Sequence, residues 1–323
     1  MDKHGVILLG GAYFNDERLK FFDNPIHESY KNNFLVQNVK WEDVENCVKL
    51  NIPESDFIFI FGLKTWVRKL HKKRYNSKNI IQMIRNFLSA NISNKIPLGV
   101  MDDFNLGDEQ SMGDSFREMF FRDFNCKVFL LREYLTNKEY DKCVLPFSIC
   151  CWDYTEMEKS PLEKKYDLYF RGNDSSDDRK PILKEIDEKW EGINKNLLLY
   201  RGGEKSDKKI DMKDYLNEMS DSKFCLSFKG AGYCCFRYQE IPSVGSILVT
   251  PNYPLLIKND YKDMYSCIKY NDVVEMKRKI KSVLESKDCL INMQQASRDN
   301  FLNNHTTLKR YQWFLEAIDM LFK

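Results

Sequence analysis

Short apolar runs alternate with stretches in which apolar side chains recur every three or four positions, and the alternation persists along most of the chain. Residues 5–9 form a β-branched and leucine run that stops at Gly10-Gly11-Ala12, the form of a strand opening an α/β domain. Residues 56–61 are unbroken in apolar character after Asp56, as a parallel strand buried on both faces requires. Between 77 and 90, Ile80, Ile81, Ile84, Phe87 and Leu88 share a helical face behind Ser77, which can cap the first turn. Residues 97–101 and 127–131 read as further strands, with a helix marked by Phe116, Met119 and Phe120 between them. Residues 144–149 read as an apolar linker.

The run 156–165 turns charged and holds Pro161, which marks an exposed boundary and a hinge. Beyond it, 166–172, 197–201, 223–228, 246–250 and 266–270 read as strands, with 173–178 a polar loop and 180–189 and 211–219 as helices. Asn271 is placed to cap a helix whose apolar side carries Val274, Met276, Ile280, Val283 and Leu284, and 306–321 forms a last amphipathic helix. Strand alternating with helix predicts parallel sheets covered by helices. At 323 residues the chain exceeds the usual single domain. The expected organisation is α/β, with a first Rossmann-like domain at 1–155, a second domain at 156–305, and a helix at 306–323 that packs back on the first.

Composition narrows the class. Hydrophobic residues at 43% and aromatics at 14%, with 22 Phe and 17 Tyr, exclude a disordered or coiled-coil chain. Lys and Arg number 50 against 48 Asp and Glu, so the overall field does not favour nucleic acid or an anionic membrane, and any anion must be bound locally. The ten cysteines lie mostly in apolar runs with no C-x-x-C, which suits reduced thiols better than disulfides or a zinc site. The first residues lack a signal peptide's pattern and no run reaches the ~20 apolar residues of a membrane span. A soluble, cytoplasmic protein is expected, with peripheral membrane contact left open.

Candidate chemistry gathers between Tyr215 and Thr250. Residues 223–228 read as a strand, Lys229-Gly-Ala-Gly232 as a loop, the stretch with Arg237 and Glu240 as a helix, and 246–250 as the next strand. Such a βαβ step carries its ligands at the carboxyl end of the first strand. The loop is neither a phosphate-binding Walker loop nor a dinucleotide fingerprint. Gly230 and Gly232 permit close backbone approach to a ligand, and Arg237 and Glu240, three residues apart, project to one side of a helix. A guanidinium there can fork onto a diphosphate while the carboxylate accepts from ribose hydroxyls. The same spacing also suits a surface ion pair.

These residues resemble the signature region of exostosin-type glycosyltransferases: Tyr-Leu-x-x-Met-Ser at 215–220, Ser-Lys-Phe-Cys-Leu at 222–226, a Gly-containing loop, Arg237, Glu240, and Gly-Ser-Ile-Leu-Val at 245–249. Tyr169-Phe-Arg-Gly172 is similar to the strand that opens that family's donor domain. The resemblance spans about 166–285. It implies a GT-B-like fold, two Rossmann-like domains facing across a cleft, with a nucleotide sugar in the second. It further implies diphosphate contacts from Arg171 and Arg237, ribose contact from Glu240, backbone approach at Gly230 and Gly232, and positive charge from Lys229. Tyr233-Cys-Cys-Phe236 departs from the family's small or polar residues, which bears on the sugar bound.

Transfer to a hydroxyl needs a base and a stabilised leaving diphosphate. The base is expected from the first domain: Asp102 and Asp103 after the strand at 97–101, then Asp16 and Glu17. Asp102 equally suits a cap or turn. With Arg171, Lys229 and Arg237 supplying charge, neither metal nor cofactor is expected, and His4, His27, His71 and His305 lack ligand spacing. The basic run from Lys69 to Arg74 suits an anionic acceptor, a lipid head group or simply a solvated face. The resulting expectation is a metal-independent glycosyltransferase moving a sugar from a uridine-linked donor to a glycan or other hydroxyl acceptor, with no nucleic-acid partner. The alternatives are a non-catalytic nucleotide- or sugar-binding protein of the same fold, and an enzyme glucosylating nucleic acid.

Overall fold

The computed structural model describes residues 4–10, 34–102, 106–174, 176, 178–200, 210–230 and 232–322. Contacts divide the chain into two compact units, Met1–Ser148 with Arg310–Lys323, and Ile149–Lys309. Among the described residues each unit holds one sheet, and all strand pairings in both sheets are parallel. The pair of parallel α/β sheets expected from the alternating pattern is present.

In the first unit the strands are β1 (Gly5–Gly10), β2 (Phe34–Val39), β3 (Phe57–Phe61), β4 (Leu98–Asp102), β5 (Cys126–Leu131) and β6 (Val144–Pro146), in spatial order β2-β1-β3-β4-β5-β6. The helices are α1 (Trp41–Glu45), α2 (Leu63–Lys72), α3 (Ser77–Asn91) and α4 (Leu106–Asp123). Strand β3 explains why its sequence is apolar throughout. Ile58 and Ile60 join a core with Trp66, Leu70, Ile84 and Phe116. The alternate residues Phe59 and Phe61 meet Phe314, their ring centroids 4.8 and 5.2 Å from its own. Phe314 belongs to α10 (Thr307–Met320), so the residues of this helix from Arg310 onward close one face of the first sheet. Gly99 opposes Phe59 in register, and a Cβ there would lie 2.3 Å from the Phe59 ring, so glycine makes room for that aromatic layer.

Several elements differ from the sequence reading. Phe34–Val39 is an edge strand, with Leu35 and Val36 exposed, so it lacks the buried-strand signature. Residues 144–146, read as linker, form the opposite edge strand. Two helices rather than one follow β3, and the cap of α3 is Asn76, whose Oδ1 accepts from the Asn79 amide at 2.9 Å.

The second unit contains β7 (Tyr166–Asn173), β8 (Lys195–Tyr200), β9 (Ser222–Leu226), β10 (Ile247–Pro251) and β11 (Ile268–Tyr270), ordered β11-β10-β9-β7-β8. Its helices are α5 (Arg179–Lys189), α6 (Met212–Ser220), α7 (Arg237–Ser243), α8 (Val273–Leu284) and α9 (Lys287–Asn304). The chain leaves β7 toward β8 on one side and leaves β9 toward β10 on the other. Adjacent β7 and β9 therefore flank a topological switch point, where connections diverge and open a crevice at the carboxyl ends of the strands. Asp272, not Asn271, caps α8, its side chain accepting from the Glu275 amide at 2.8 Å, and Val274, expected on the apolar side, is exposed because it is out of helical phase with Met276, Ile280 and Val283. Helix α9 was not foreseen because its buried stripe, Leu290, Met293, Gln294, Ser297 and Phe301, mixes polar with apolar residues.

The charged run 156–165 lies within this second unit. Buried Lys164 donates from Nζ to the Gly245 carbonyl at 2.8 Å and the Ser246 hydroxyl at 3.1 Å. Burial pushes its pKa down to about 8. The unfolded chain, with a lysine pKa of about 10.4, then binds more protons between those values, so this group's contribution to stability rises with pH across that window. In denaturant titrations, the stability of wild type relative to Lys164→Met should increase as pH is raised from about 8 to about 10; a difference that is flat or falls with pH contradicts the assignment.

Candidate functional site at the carboxyl edge of the second sheet

Three groups converge where β7 and β9 end. Residue Phe170 of β7 is fully buried in the core with Phe224, Leu226 and Phe228. Its ring carries two guanidiniums: the Arg237 Cζ lies 4.9 Å and the Arg179 Cζ 5.8 Å from the ring centroid. A cation over an aromatic face is attracted by the ring quadrupole, so one buried phenylalanine helps hold two like charges. Gly172, two residues along the strand, leaves the space that Arg237 fills. A Cβ at 172 would lie 2.5 Å from Arg237 Nη2.

Arg237 opens α7, and its Nε donates to the Tyr215 hydroxyl at 3.2 Å. That hydroxyl donates in turn to Glu240 Oε2 at 3.4 Å. Tyr215, projecting from α6, thus bridges the residues that the sequence places three apart. Glu240 is only 3% exposed, which rules out the solvated surface ion pair as a description of this helix face. Burial opposes the Arg237 cation, but the Tyr215 hydroxyl, the Cys235 thiol and the Glu240 carboxylate outweigh it and raise its pKa further. The guanidinium is therefore charged at every working pH. Burial raises the Tyr215 pKa well above the usual phenol value, so the bridge remains a neutral hydroxyl.

The loop between β9 and α7 is held from several sides. The Lys229 amide donates to the Tyr253 hydroxyl at 2.8 Å, and the Tyr253 ring stacks on Tyr233 with centroids 4.6 Å apart. The Lys229 side chain meets Asp178 at 2.7 Å, both partly exposed. The Gly230 amide donates to the Gly232 carbonyl at 2.9 Å, and around Gly230 a Cβ would meet only an Arg179 nitrogen, at 3.5 Å. The carboxyl edge thus carries Lys229, Gly230, Gly232, Arg237 and Glu240 together, as the sequence pattern suggested.

Arg171 is placed differently. Its Nε and Nη2 fork onto the two oxygens of Glu218 on α6, each at 2.7 Å, and the Tyr169 hydroxyl donates to the same carboxylate at 2.9 Å. Burial disfavours the Arg171 cation, yet the Glu218 pairing prevails and raises its pKa. Glu218 carried no signal in the sequence beyond its helical position. Arg179 was also missed: it is the first residue of α5, read as following a polar loop, and nothing in its spacing marks it.

In the first unit, Asp102 is the last residue of β4, level with Leu131 of β5. Asp103, Asp16 and Glu17 lie outside the described residues, as does His27. Among the described residues no group of three or more His, Cys, Asp and Glu side chains is arranged to hold a metal ion, and no helix is long and apolar enough to cross a membrane. None of the ten cysteines is joined in a disulfide, and most are buried.

Residues 171–316 match the family model described as glycosyl transferase-like. No curated protein sequence matches the chain. Among solved structures the chain is similar to the Anabaena HepE protein in complex with UDP and glucose, with 8% identity, a TM-score of 0.60, and coverage of 98% of this chain and 99% of that one. It is similar also to an alpha-glucosyltransferase in complex with UDP and a 13-mer DNA, at 12% identity, TM-score 0.57 and coverage of 99% and 100%. A glycosyltransferase from Rickettsia africae ESF-5 shows 10% identity and a TM-score of 0.56 over the whole of both chains. At such identities the likeness is one of fold. The chain has the two-sheet α/β fold of GT-B glycosyltransferases, and residues 171–316 are glycosyltransferase-like in sequence.

Proposed function

We propose that the chain transfers a sugar from a nucleotide-diphosphate donor, uridine-linked, to a hydroxyl acceptor. The observation that carries this reading is the Arg237–Tyr215–Glu240 array at the switch point of the second sheet. A permanently charged guanidinium at that edge suits a diphosphate, and a buried carboxylate beside it suits ribose hydroxyls. Lys229, whose ammonium meets Asp178, lies at the same edge and adds a positive charge that offsets the charge developing on the leaving group. With these cations in place the transfer is metal-independent in our reading. Within the glycosyltransferases, the pattern from Tyr215 to Thr250 supports an exostosin-type donor domain. The acceptor base is assigned to Asp102 at the carboxyl end of β4, with Asp103 and Asp16 as the other candidates. Free thiols throughout support a reducing, cytoplasmic setting.

The acceptor is proposed to be a glycan. A second reading, DNA, is favoured by one local feature: residues 57–101 contain no Asp or Glu, and Lys69, Lys72, Lys73, Arg74 and Lys78 are exposed around the α2–α3 turn. The alpha-glucosyltransferase of like fold is bound to DNA. Transfer assays with an oligosaccharide and with a duplex carrying a hydroxymethylated base should give product with the oligosaccharide only; product with the duplex alone replaces the glycan assignment.

Arg237→Ala should raise the Kd for UDP by roughly 10- to 100-fold, the equivalent of about 1.5–3 kcal/mol for a hydrogen bond to a charged group. Glu240→Ala should weaken UDP and uridine alike. If both variants keep wild-type affinity in calorimetry, the donor site is elsewhere. Slow donor hydrolysis by wild type is expected, whereas a purely binding protein would release no sugar. Gly172→Ala should displace the Arg237 guanidinium and weaken UDP in the same assay while the fold melts cooperatively; unchanged UDP binding would show that the position of Arg237 is not what binds the donor.

A further inference from the structure

Arg179 is among the most buried charged side chains of the described residues, 2% exposed, yet its hydrogen bonds run to uncharged oxygens rather than to a carboxylate. Nε and Nη2 donate to the Lys229 carbonyl at 3.1 and 2.7 Å, and Nη2 also approaches the Phe228 carbonyl at 3.5 Å. Nη1 donates to the Asn173 carbonyl at 2.6 Å and to its side-chain oxygen at 3.1 Å. Asn173 ends β7, and Phe228 and Lys229 follow β9, so one guanidinium spans the two strand exits that define the switch point. Burial, and then the nearby Arg237 charge, lower its pKa. A cation kept beside another cation, met by backbone carbonyls, the Asn173 side chain and the Phe170 ring but by no carboxylate, is costly for folding alone.

That cost is explained if the loop must hold one shape. With its carbonyl pulled toward Arg179 and its amide held by Tyr253, the Lys229 residue is tied at both ends of its backbone, which sets the direction of the Lys229 side chain and of the segment leading to Arg237. We propose that Arg179 is a positioning residue of the donor site: it clamps the exits of β7 and β9 and presents the Lys229–Gly232 loop and Arg237 to the diphosphate. This rests on the donor reading above for its ligand, but the clamp itself is a property of the ligand-free protein.

The planar fork matters here, because lysine can restore the charge without bridging the carbonyls at 173 and 229. In the ligand-free protein, Arg179→Lys and Arg179→Met should both accelerate amide hydrogen exchange in residues 228–233, at least tenfold at Lys229, with the amides of β9 and β10 still protected. Both should raise the donor KM, or the Kd for UDP, by at least tenfold with kcat changed far less. Tyr253→Phe, which removes the other tether, should give a similar effect, and the double variant should lose much less affinity than the two single losses multiplied. Wild-type exchange in 228–233, full rescue of UDP affinity by Arg179→Lys, or multiplicative losses would each overturn the proposal. Faster loop exchange in a protein whose wild type binds no nucleoside diphosphate would leave the clamp standing and overturn the donor reading instead.

Discussion

A buried guanidinium keeps its charge and has to be solvated by whatever the fold places around it. At the carboxyl edge of the second sheet this requirement applies twice around the Phe170 ring, to the buried Arg179 and the half-buried Arg237, and the solutions differ. Arg179 is met by backbone carbonyls of the strand exits, Arg237 by a tyrosine hydroxyl that leads to a carboxylate, and both lean on Phe170. Glu240 and Asn173 lie three and six residues from the arginines they serve, whereas Tyr215 and Lys229 are 22 and 50 positions away. The arrangement depends on β7 and β9 being neighbours and parallel, so that both carboxyl ends reach the same edge.

The sheet cores make that edge rigid. Phe170 points into a cluster with Phe224, Leu226, Ile247 and Val249, while its strand neighbours Tyr169 and Arg171 turn to the α6 side and meet Glu218. Alternation along one strand thereby separates two arginine-carrying faces. Arg171 with its Glu218 fork is a neutralised, partly buried pair that braces α6, the helix that supplies Tyr215. Arg237 instead reaches its carboxylate, Glu240, through the Tyr215 hydroxyl. Gly172 belongs to the same design, since a side chain there would occupy the place of the Arg237 guanidinium.

Much of this was legible in the chain. The apolar run Phe57–Phe61 is what a strand sandwiched between helices needs, and its alternate phenylalanines and isoleucines do face two different layers. The grouping of Lys229, Gly230, Gly232, Arg237 and Glu240 follows from a strand, a tight loop and a helix in succession, a local matter that spacing can report. Edge strands such as Phe34–Val39 escaped because half their residues face water, and α9 escaped because its buried stripe is partly polar. Caps were off by one residue at Asn76 and Asp272, where neighbouring polar residues compete for the same role.

The alternation of strand and helix, the fully buried strands and the local Arg237–Glu240 spacing were determined by the sequence alone, because hydrophobic periodicity and turn chemistry act over a few residues. Which charges are neutralised was decided only by tertiary structure. The family resemblance put Arg171 and Arg237 in the same role, yet one is paired with Glu218 and the other linked through Tyr215 to Glu240, and Arg179 has carbonyl partners that no local pattern announces. The physical reason is that electrostatic partners are chosen by strand order and helix packing, which join residues 22 to 50 positions apart.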